Sequence, residues 1–128
     1  MNDINLIGRR FQLWGYKVSH GELLIRSPKT PGSINTAEQV TNVDIMFFGV
    51  DYINLPRSIS ELEIDKPTDD EISFVKEKLN EFDSNVNENN IYILKSKNHR
   101  HIIVAAQVKI SENDMDISET EFTSDWKM

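Results

Sequence analysis

The fold is decided by residues 13–27, LWGYKVSHGELLIRS, in which two runs of β-type residues flank the turn-forming centre Ser19-His20-Gly21-Glu22. A two-residue loop at His20-Gly21 would set a hairpin register that pairs Val18 with Leu23, Tyr16 with Ile25 and Trp14 with Ser27. All six side chains would then lie on one side of the hairpin. Gly21 supplies the positive φ that so tight a loop needs. The stretch therefore predicts an antiparallel hairpin.

The whole chain has 128 residues, no cysteine and a formal net charge of −7. This length suits one domain with a hydrophobic core. The missing cysteine excludes disulfides, thiolate catalysis and zinc–cysteine sites. The acidic balance argues against nucleic-acid binding, because phosphates need a clustered basic face. With neither a secretion signal nor an apolar run long enough for a bilayer, we expect a cytoplasmic protein without membrane contact.

The charge is unevenly distributed along the chain. Residues 61–88 hold 3 basic and 10 acidic side chains, residues 89–111 hold 4 basic and no acidic ones, and residues 112–128 hold 1 and 6. We expect residues 1–110 to form a single globular domain and residues 111–128 an acidic, flexible tail. The basic side chains of 89–111 would contact phosphate or an acidic partner, or pair with the protein's own acidic helix or tail; they are Lys95, Lys97, Arg100 and Lys109.

Alternating and apolar runs predict strands at 9–19, 22–27, 41–53, 58–65, 91–96 and 101–110. Gly15 and Gly49 interrupt two of these runs, so each predicts a bulge or bend. The charges of 58–65 suit an edge strand, whereas a strand that is apolar on both faces at 45–48 needs cover on both sides. A turn around residues 97–100 would pair Ser96 with His101, Leu94 with Ile103 and Ile93 with Val104. Residues 28–40 read as a long exposed loop.

One helix is expected over residues 69–82. Thr68 and Glu71 have the spacing of a capping box, and an apolar stripe follows at Ile72, Val75, Leu79 and Phe82. This helix is the natural cover for the strand at 43–50. The predicted fold class is therefore α+β: a curved, mainly antiparallel sheet of about six strands covered by one amphipathic helix, with a partly open barrel as the alternative.

No catalytic or cofactor motif is present: there is no glycine-rich phosphate loop, G-x-S-x-G, H-E-x-x-H or calcium loop. This absence favours a non-catalytic protein over an enzyme with a dispersed active site, and we expect neither cofactor nor metal. His99 and His101 would share a strand face, but a metal site needs a third ligand. Asp44 and Asp51 lie in an apolar strand, where a buried carboxylate would be a candidate acid or base. Positions near a strand end and past the Gly49 bend explain them more simply.

Part of the chain resembles known sequences. The run YKVSHGELLIRS at 16–27, followed by VDIMFFGV at 43–50, resembles an uncharacterised family of short bacterial proteins. That resemblance implies no functional residues, because no activity is attached to the family. In size, acidity and lack of cysteine the chain is also similar to immunity proteins encoded beside bacterial toxins.

Two functions stay open. The first is a non-catalytic protein-interaction module, whose basic partner would be steered and docked by carboxylates at Glu61, Glu63, Asp65, Asp69 and Asp70. Immunity-type neutralisation of a toxin is one concrete version. The alternative is a small-ligand-binding protein, with a pocket between sheet and helix lined by Trp14, Tyr16, Phe48 and Tyr52, although aromatics are more often core. Homo-oligomerisation is compatible with either function.

Overall fold

The computed structural model describes Leu6 and residues 8–30, 40–80, 86–116 and 119–120. These residues form an α+β fold with two antiparallel sheets, one α-helix and two 3-10 turns. The first sheet has the order β5-β1-β2-β3-β9 and consists of β1 (Arg10–Lys17), β2 (Glu22–Ser27), β3 (Asn42–Phe48), β5 (Ser58–Ser60) and β9 (Gln107–Asn113). The second has the order β4-β8-β7-β6 and consists of β4 (Tyr52–Asn54), β6 (Leu62–Asp65), β7 (Ile91–Ser96) and β8 (His99–Val104). Helix α1 spans Asp69–Asn80.

The two sheets arise because three of the six expected strands each bend into two shorter ones. The chain crosses from the first sheet to the second at Gly49 and again at Glu61, both with positive φ (63° and 55°). It returns at residues 55–57, between β4 and β5, and at Ala105-Ala106. A Cβ on Gly49 would lie 3.1 Å from the Ala106 Cβ, so the backbone conformation and the close contact both favour glycine. The bend expected at Gly49 is confirmed. The structure therefore has two packed sheets in place of one curved sheet of about six strands.

The first hairpin forms with a longer loop than expected. Val18–His20 make a 3-10 turn that ends at Gly21 with φ 58°, so four residues connect the strands. Tyr16 pairs with Leu23, and the expected pairing of Tyr16 with Ile25 is wrong by two residues. The positive φ predicted for Gly21 is confirmed.

A bulge divides β1, as the position of Gly15 predicts. The register of β1 against β2 shifts between Leu13 and Gly15, so Trp14 has no direct partner in the pairing. The Trp14 ring lies over the guanidinium of Arg26, with 5.3 Å between the ring centroid and Cζ. The bulge thereby places an aromatic side chain on the outer face of the first sheet.

The second hairpin also differs from its expected register by two residues. Lys97, with φ 55°, and Asn98 make a two-residue turn, so Ser96 pairs with His99 rather than His101. An even shift keeps every side chain on its expected face, since the strand period is two. Leu94 accordingly remains buried.

The hydrophobic core has two layers. Between the sheets lie the buried side chains of Phe11, Leu23, Ile25, Val43, Ile45, Phe47, Ile59, Leu62, Leu94, Ile103 and Ala105. Between the second sheet and the helix lie Val75, Leu79, Ile91, Ile93, Ile102 and Val104. The expectation that the helix covers the strand at 43–50 is wrong. Helix α1 covers β7 and β8, whose residues are apolar on both faces and supply both layers.

The helix starts as predicted. The Thr68 N–H donates to Glu71 Oε1 at 2.8 Å, and the Glu71 N–H donates to Thr68 Oγ1 at 3.2 Å, which completes the capping box. Phe82, at the expected helix end, lies outside the described residues, as do residues 31–39 of the expected loop. Strand β9 continues to Asn113, beyond the boundary expected at residue 110.

Candidate functional site at the acidic edge of the second sheet

The outer strand β6 and the first turn of α1 form what we call the acidic edge, defined by Glu61, Glu63, Asp65, Asp69 and Asp70. Glu61 is the corner residue before β6, Glu63 and Asp65 belong to the strand, and Asp69 and Asp70 begin the helix. All five side chains are exposed. Carboxylates on an outer strand disfavour its pairing with a second copy of the same strand, and carboxylates at a helix start interact favourably with the helix dipole.

Arg100 joins the strand end of this edge to its helix end. It donates from Nε to Glu71 Oε2 at 2.9 Å and from Nη2 to Glu71 Oε1 at 3.0 Å, while Nη1 donates to Asp65 Oδ2 at 3.0 Å. These hydrogen bonds are the main cause that lowers the pKa of both the Glu71 and the Asp65 carboxyl. They also raise the pKa of Arg100. Arg100 thus pairs with the protein's own acids, one of the roles expected for the basic side chains of residues 89–111.

The acidic edge keeps a negative charge after this pairing. Residues 61–71 contain six carboxylates and Lys66, and Arg100 adds a second positive charge, so the local balance is 2 − 6 = −4. Arg100 leaves Glu61, Glu63, Asp69 and Asp70 outside its ion pairs. A charged surface of one sign raises the local concentration of oppositely charged partners.

Two grooves lie along β6. One, with a volume of about 650 Å³, lies beyond the C-terminal end of the strand and has an apolar floor with a polar rim; it is lined by Ile64, Asp65, Lys66, Pro67, Ile72, Glu88, Asn89, Ile91 and Tyr92. The other, of about 490 Å³, is lined by Leu6, Glu61, Leu62, Glu63 and Ile64. Ile64 lines both, so the grooves adjoin each other along the strand. Apolar floors beside charged rims are typical of protein-binding surfaces.

The four aromatic residues expected to line a ligand pocket lie in different places. Trp14 lies over Arg26 on the first sheet, and Tyr16 is 45% exposed. Tyr52 packs edge-on against Phe74 of the helix, with 6.5 Å between ring centroids. Phe48 is half-buried at the end of β3. None of them lines either groove along β6.

A second polar cluster, which sequence reasoning did not assemble, lies on the outer face of the first sheet. Arg26 of β2 and Asp44 of β3 are both fully buried, with Arg26 Nε donating to Asp44 Oδ1 at 2.7 Å and Nη2 to Oδ2 at 2.9 Å. Asn113 Nδ2 donates to Asp44 Oδ2 at 2.9 Å. Asp44 lies near the start of β3, as the simpler explanation has it, but it is a buried structural carboxylate there. Asp51 is exposed, as that explanation expected.

Residues 114–116 and 119–120, here called the C-terminal segment, lie against this cluster. Arg26 Nη1 donates to the Glu119 carbonyl oxygen at 2.8 Å, Asn42 Nδ2 donates to that of Met115 at 2.9 Å, and Lys29 Nζ donates to that of Asp114 at 2.7 Å. The segment is held mainly through its backbone, so its acidic side chains do not explain its position. Residues 117–118 and 121–128 of the expected tail lie outside the described residues.

The two histidines at the second hairpin share a face, as expected. The rings of His99 and His101 stack with 6.3 Å between their centroids. Burial, and to a smaller extent the charge of His99, lower the pKa of His101. Within the described residues no three His, Asp or Glu side chains come together as a metal site, and no helix is long and apolar enough to cross a membrane.

Comparison with known proteins adds no relative. No protein-family model matches the chain, and no curated protein and no solved structure matches it either.

Proposed function

We propose that this protein is a non-catalytic interaction module that binds and neutralises a basic protein partner through the acidic edge. The observation that carries the proposal is the combination of four exposed carboxylates, two at β6 and two at the start of α1, with an adjoining apolar groove. Carboxylates alone are common on protein surfaces. Beside an apolar floor, they add specificity and a fast association rate to a contact that buries apolar area.

Binding would proceed in two stages. The carboxylates of Glu61, Glu63, Asp69 and Asp70 attract a basic surface over about a Debye length, roughly 8 Å at physiological salt. Apolar side chains of the partner then fill the groove above Ile72, Ile91 and Tyr92, where burial supplies most of the affinity. Neutralising a toxin by covering its basic active surface, as an immunity protein does, is one concrete form of this role.

A small-ligand-binding role is the second candidate. The groove of about 650 Å³ has a volume typical of ligand sites, with a single aromatic residue, Tyr92, in its lining. Ligand binding there would depend on the apolar floor rather than on the four carboxylates.

The test is a neutralised variant with a matched control. The neutralised variant removes four charges from the acidic edge through Glu61→Gln, Glu63→Gln, Asp69→Asn and Asp70→Asn. The control removes four charges from exposed side chains elsewhere through Asp51→Asn, Glu77→Gln, Asp114→Asn and Asp116→Asn. The partner is recovered from the lysate of the source cell with the unchanged protein as bait, and its affinity is measured at low and high salt.

We expect the affinity of the partner to fall at least about tenfold in the neutralised variant, mainly through a slower association rate, and to fall with salt for the unchanged protein. The control should bind like the unchanged protein. If both variants lost the same affinity, or if the affinity did not change with salt, the acidic edge would not be the surface that binds the partner. A small molecule recovered with the protein in native mass spectrometry would favour the ligand-binding role.

A further inference from the structure

Strand β6 is the outer strand of the second sheet and pairs only on one side within the described residues, where Leu62–Asp65 run antiparallel to residues 93–96 of β7. On an outer strand, every second residue directs its backbone N–H and C=O away from the sheet. Residues 91 and 92 extend β7 beyond the last residue that β6 pairs with, and both line the larger groove. A backbone edge thus runs along the two grooves.

The charges on this edge select what can pair with it. Antiparallel pairing of β6 with a second copy of itself would bring Glu61, Glu63 and Asp65 of both chains together, and like charges on facing strands are destabilising. A cationic strand meets the opposite situation, because its basic side chains would face these carboxylates. These charges therefore disfavour pairing of β6 with a second copy of itself and favour pairing with a basic segment.

The pleat of β6 further defines that segment. Leu62 is buried in the core between the sheets and Ile64 packs against it, while Glu63 and Asp65 are exposed. A strand added beside β6 would alternate in the same way, with apolar side chains over the Ile64 side and basic side chains over the Glu63 side. The grooves on either side of Ile64 offer space for the apolar ones.

We propose that an extended segment of the partner, with alternating basic and apolar residues, adds to β6 as a fifth strand of the second sheet. This inference rests on the proposed function and specifies its mode of binding. Backbone hydrogen bonds along β6 would provide affinity, the grooves would select the apolar residues, and Glu63 with its neighbours would select the basic ones.

The experiment uses the full chain, labelled with 15N, and three synthetic hexapeptides with blocked ends. The first has the sequence RVRVRV, the second has the same sequence with every backbone nitrogen methylated, and the third is EVEVEV. The methylated peptide keeps its charges and side chains but cannot donate backbone hydrogen bonds. Amide chemical shifts locate the binding, and the titration gives the affinity of each peptide.

We expect RVRVRV to shift the amide signals of residues 62–65 and 91–93, and methylation to weaken binding by about tenfold or more through the lost hydrogen bonds. EVEVEV should not bind. Glu63→Lys should weaken the binding of RVRVRV, and Glu77→Lys, on the exposed surface of α1, should leave it unchanged.

Other results would overturn strand addition. Equal binding of the methylated peptide would mean docking by charge alone, which leaves the proposed function intact. If RVRVRV did not bind, or if the amide shifts were confined to another surface, strand addition at β6 would be rejected. Shifts of residues 62–65 that grow with protein concentration and without peptide would identify a second copy as the occupant. The proposed function itself is tested separately, by the affinity comparison of the neutralised and control variants and by the dependence of that affinity on salt.

Discussion

Two arginine–carboxylate pairs of similar geometry lie in opposite environments of this molecule. Arg26 donates to both oxygens of Asp44, and Arg100 donates to both oxygens of Glu71, with distances of 2.7–3.0 Å in both pairs. The side chains of the first pair are 0% exposed, whereas Arg100 and Glu71 are 29% and 18% exposed. The bond lengths are alike, so any difference in energetics must come from the surroundings.

Burial changes what the loss of one partner costs in each pair. Around Arg26, hydrogen bonds and a ring face satisfy the guanidinium; they come from Asp44, the Glu119 carbonyl, the Met115 sulfur and Trp14. Within the described residues no buried side-chain nitrogen or oxygen lacks a partner. Removing either Arg26 or Asp44 would leave the other as an unpaired charge without water to solvate it. Arg100 is partly exposed, so water would solvate its charge if Glu71 were removed.

The largest expected effect comes from breaking the buried pair. Asp44→Asn should lower the free energy of unfolding by about 3–5 kcal/mol, because it leaves the Arg26 charge uncompensated. Urea unfolding followed by circular dichroism measures the loss. The double variant Arg26→Met with Asp44→Leu should recover most of it, since no charge then remains buried. A single variant that loses under 1 kcal/mol would contradict the role assigned to burial.

The next effect concerns Asn113, which ties β9 to the buried pair. Its Nδ2 donates to Asp44, and its Oδ1 accepts from Asn42 Nδ2 at 2.9 Å and from the Met115 N–H at 3.1 Å. Asn113→Ala should cost about 1–3 kcal/mol, because buried polar atoms lose partners. Hydrogen exchange should also speed up in residues 114–116. Ser111→Ala, two residues earlier in β9, is the comparison; a larger loss there would argue against this role of Asn113.

A smaller effect is expected at the helix start, where Glu71, the partner of Arg100, also forms the capping box with Thr68. Thr68→Ala removes the hydroxyl that accepts from the Glu71 N–H, and should cost about 1 kcal/mol of unfolding free energy. Thr68→Ser keeps the hydroxyl and should be close to the unchanged protein. If both substitutions had the same effect, the capping hydrogen bond would not be the cause.

The smallest effect is expected for the exposed pair, and it should depend on pH. Arg100→Met should cost about 0–1 kcal/mol at pH 7. Arg100 lowers the pKa of Glu71 and Asp65 in the folded state, so its contribution is present above their unfolded pKa and is lost as pH falls through the folded values. The stability difference between the variant and the unchanged protein should therefore shrink from pH 6 towards pH 3. A difference that grows on acidification would reverse the assigned sign.

Features that depend on near neighbours in sequence could be predicted. Strands β2 and β7 have the expected bounds, and the capping box of Thr68 and Glu71 forms as its spacing indicates. The two hairpin registers were each predicted wrongly by two residues, because register depends on loop conformation. The loop that ends at Gly21 is two residues longer than expected, and the loop that begins at Lys97 is two residues shorter. The five residues of the acidic edge were visible as a run of charge, but their connection through Arg100 was not.

Local patterns in the amino-acid sequence are enough to predict the elements of this protein: an α+β chain with alternating strands, one capped helix and an acidic stretch after residue 60. Only the packing of distant strands shows that the chain passes between two sheets at its bends, that the helix covers the second sheet, and that Arg26 meets Asp44. Those two residues are 18 positions apart and come together only because β2 pairs with β3 in one register. The physical reason is that periodicity and capping act over a few residues, whereas sheet pairing and charge burial depend on the packing of distant strands.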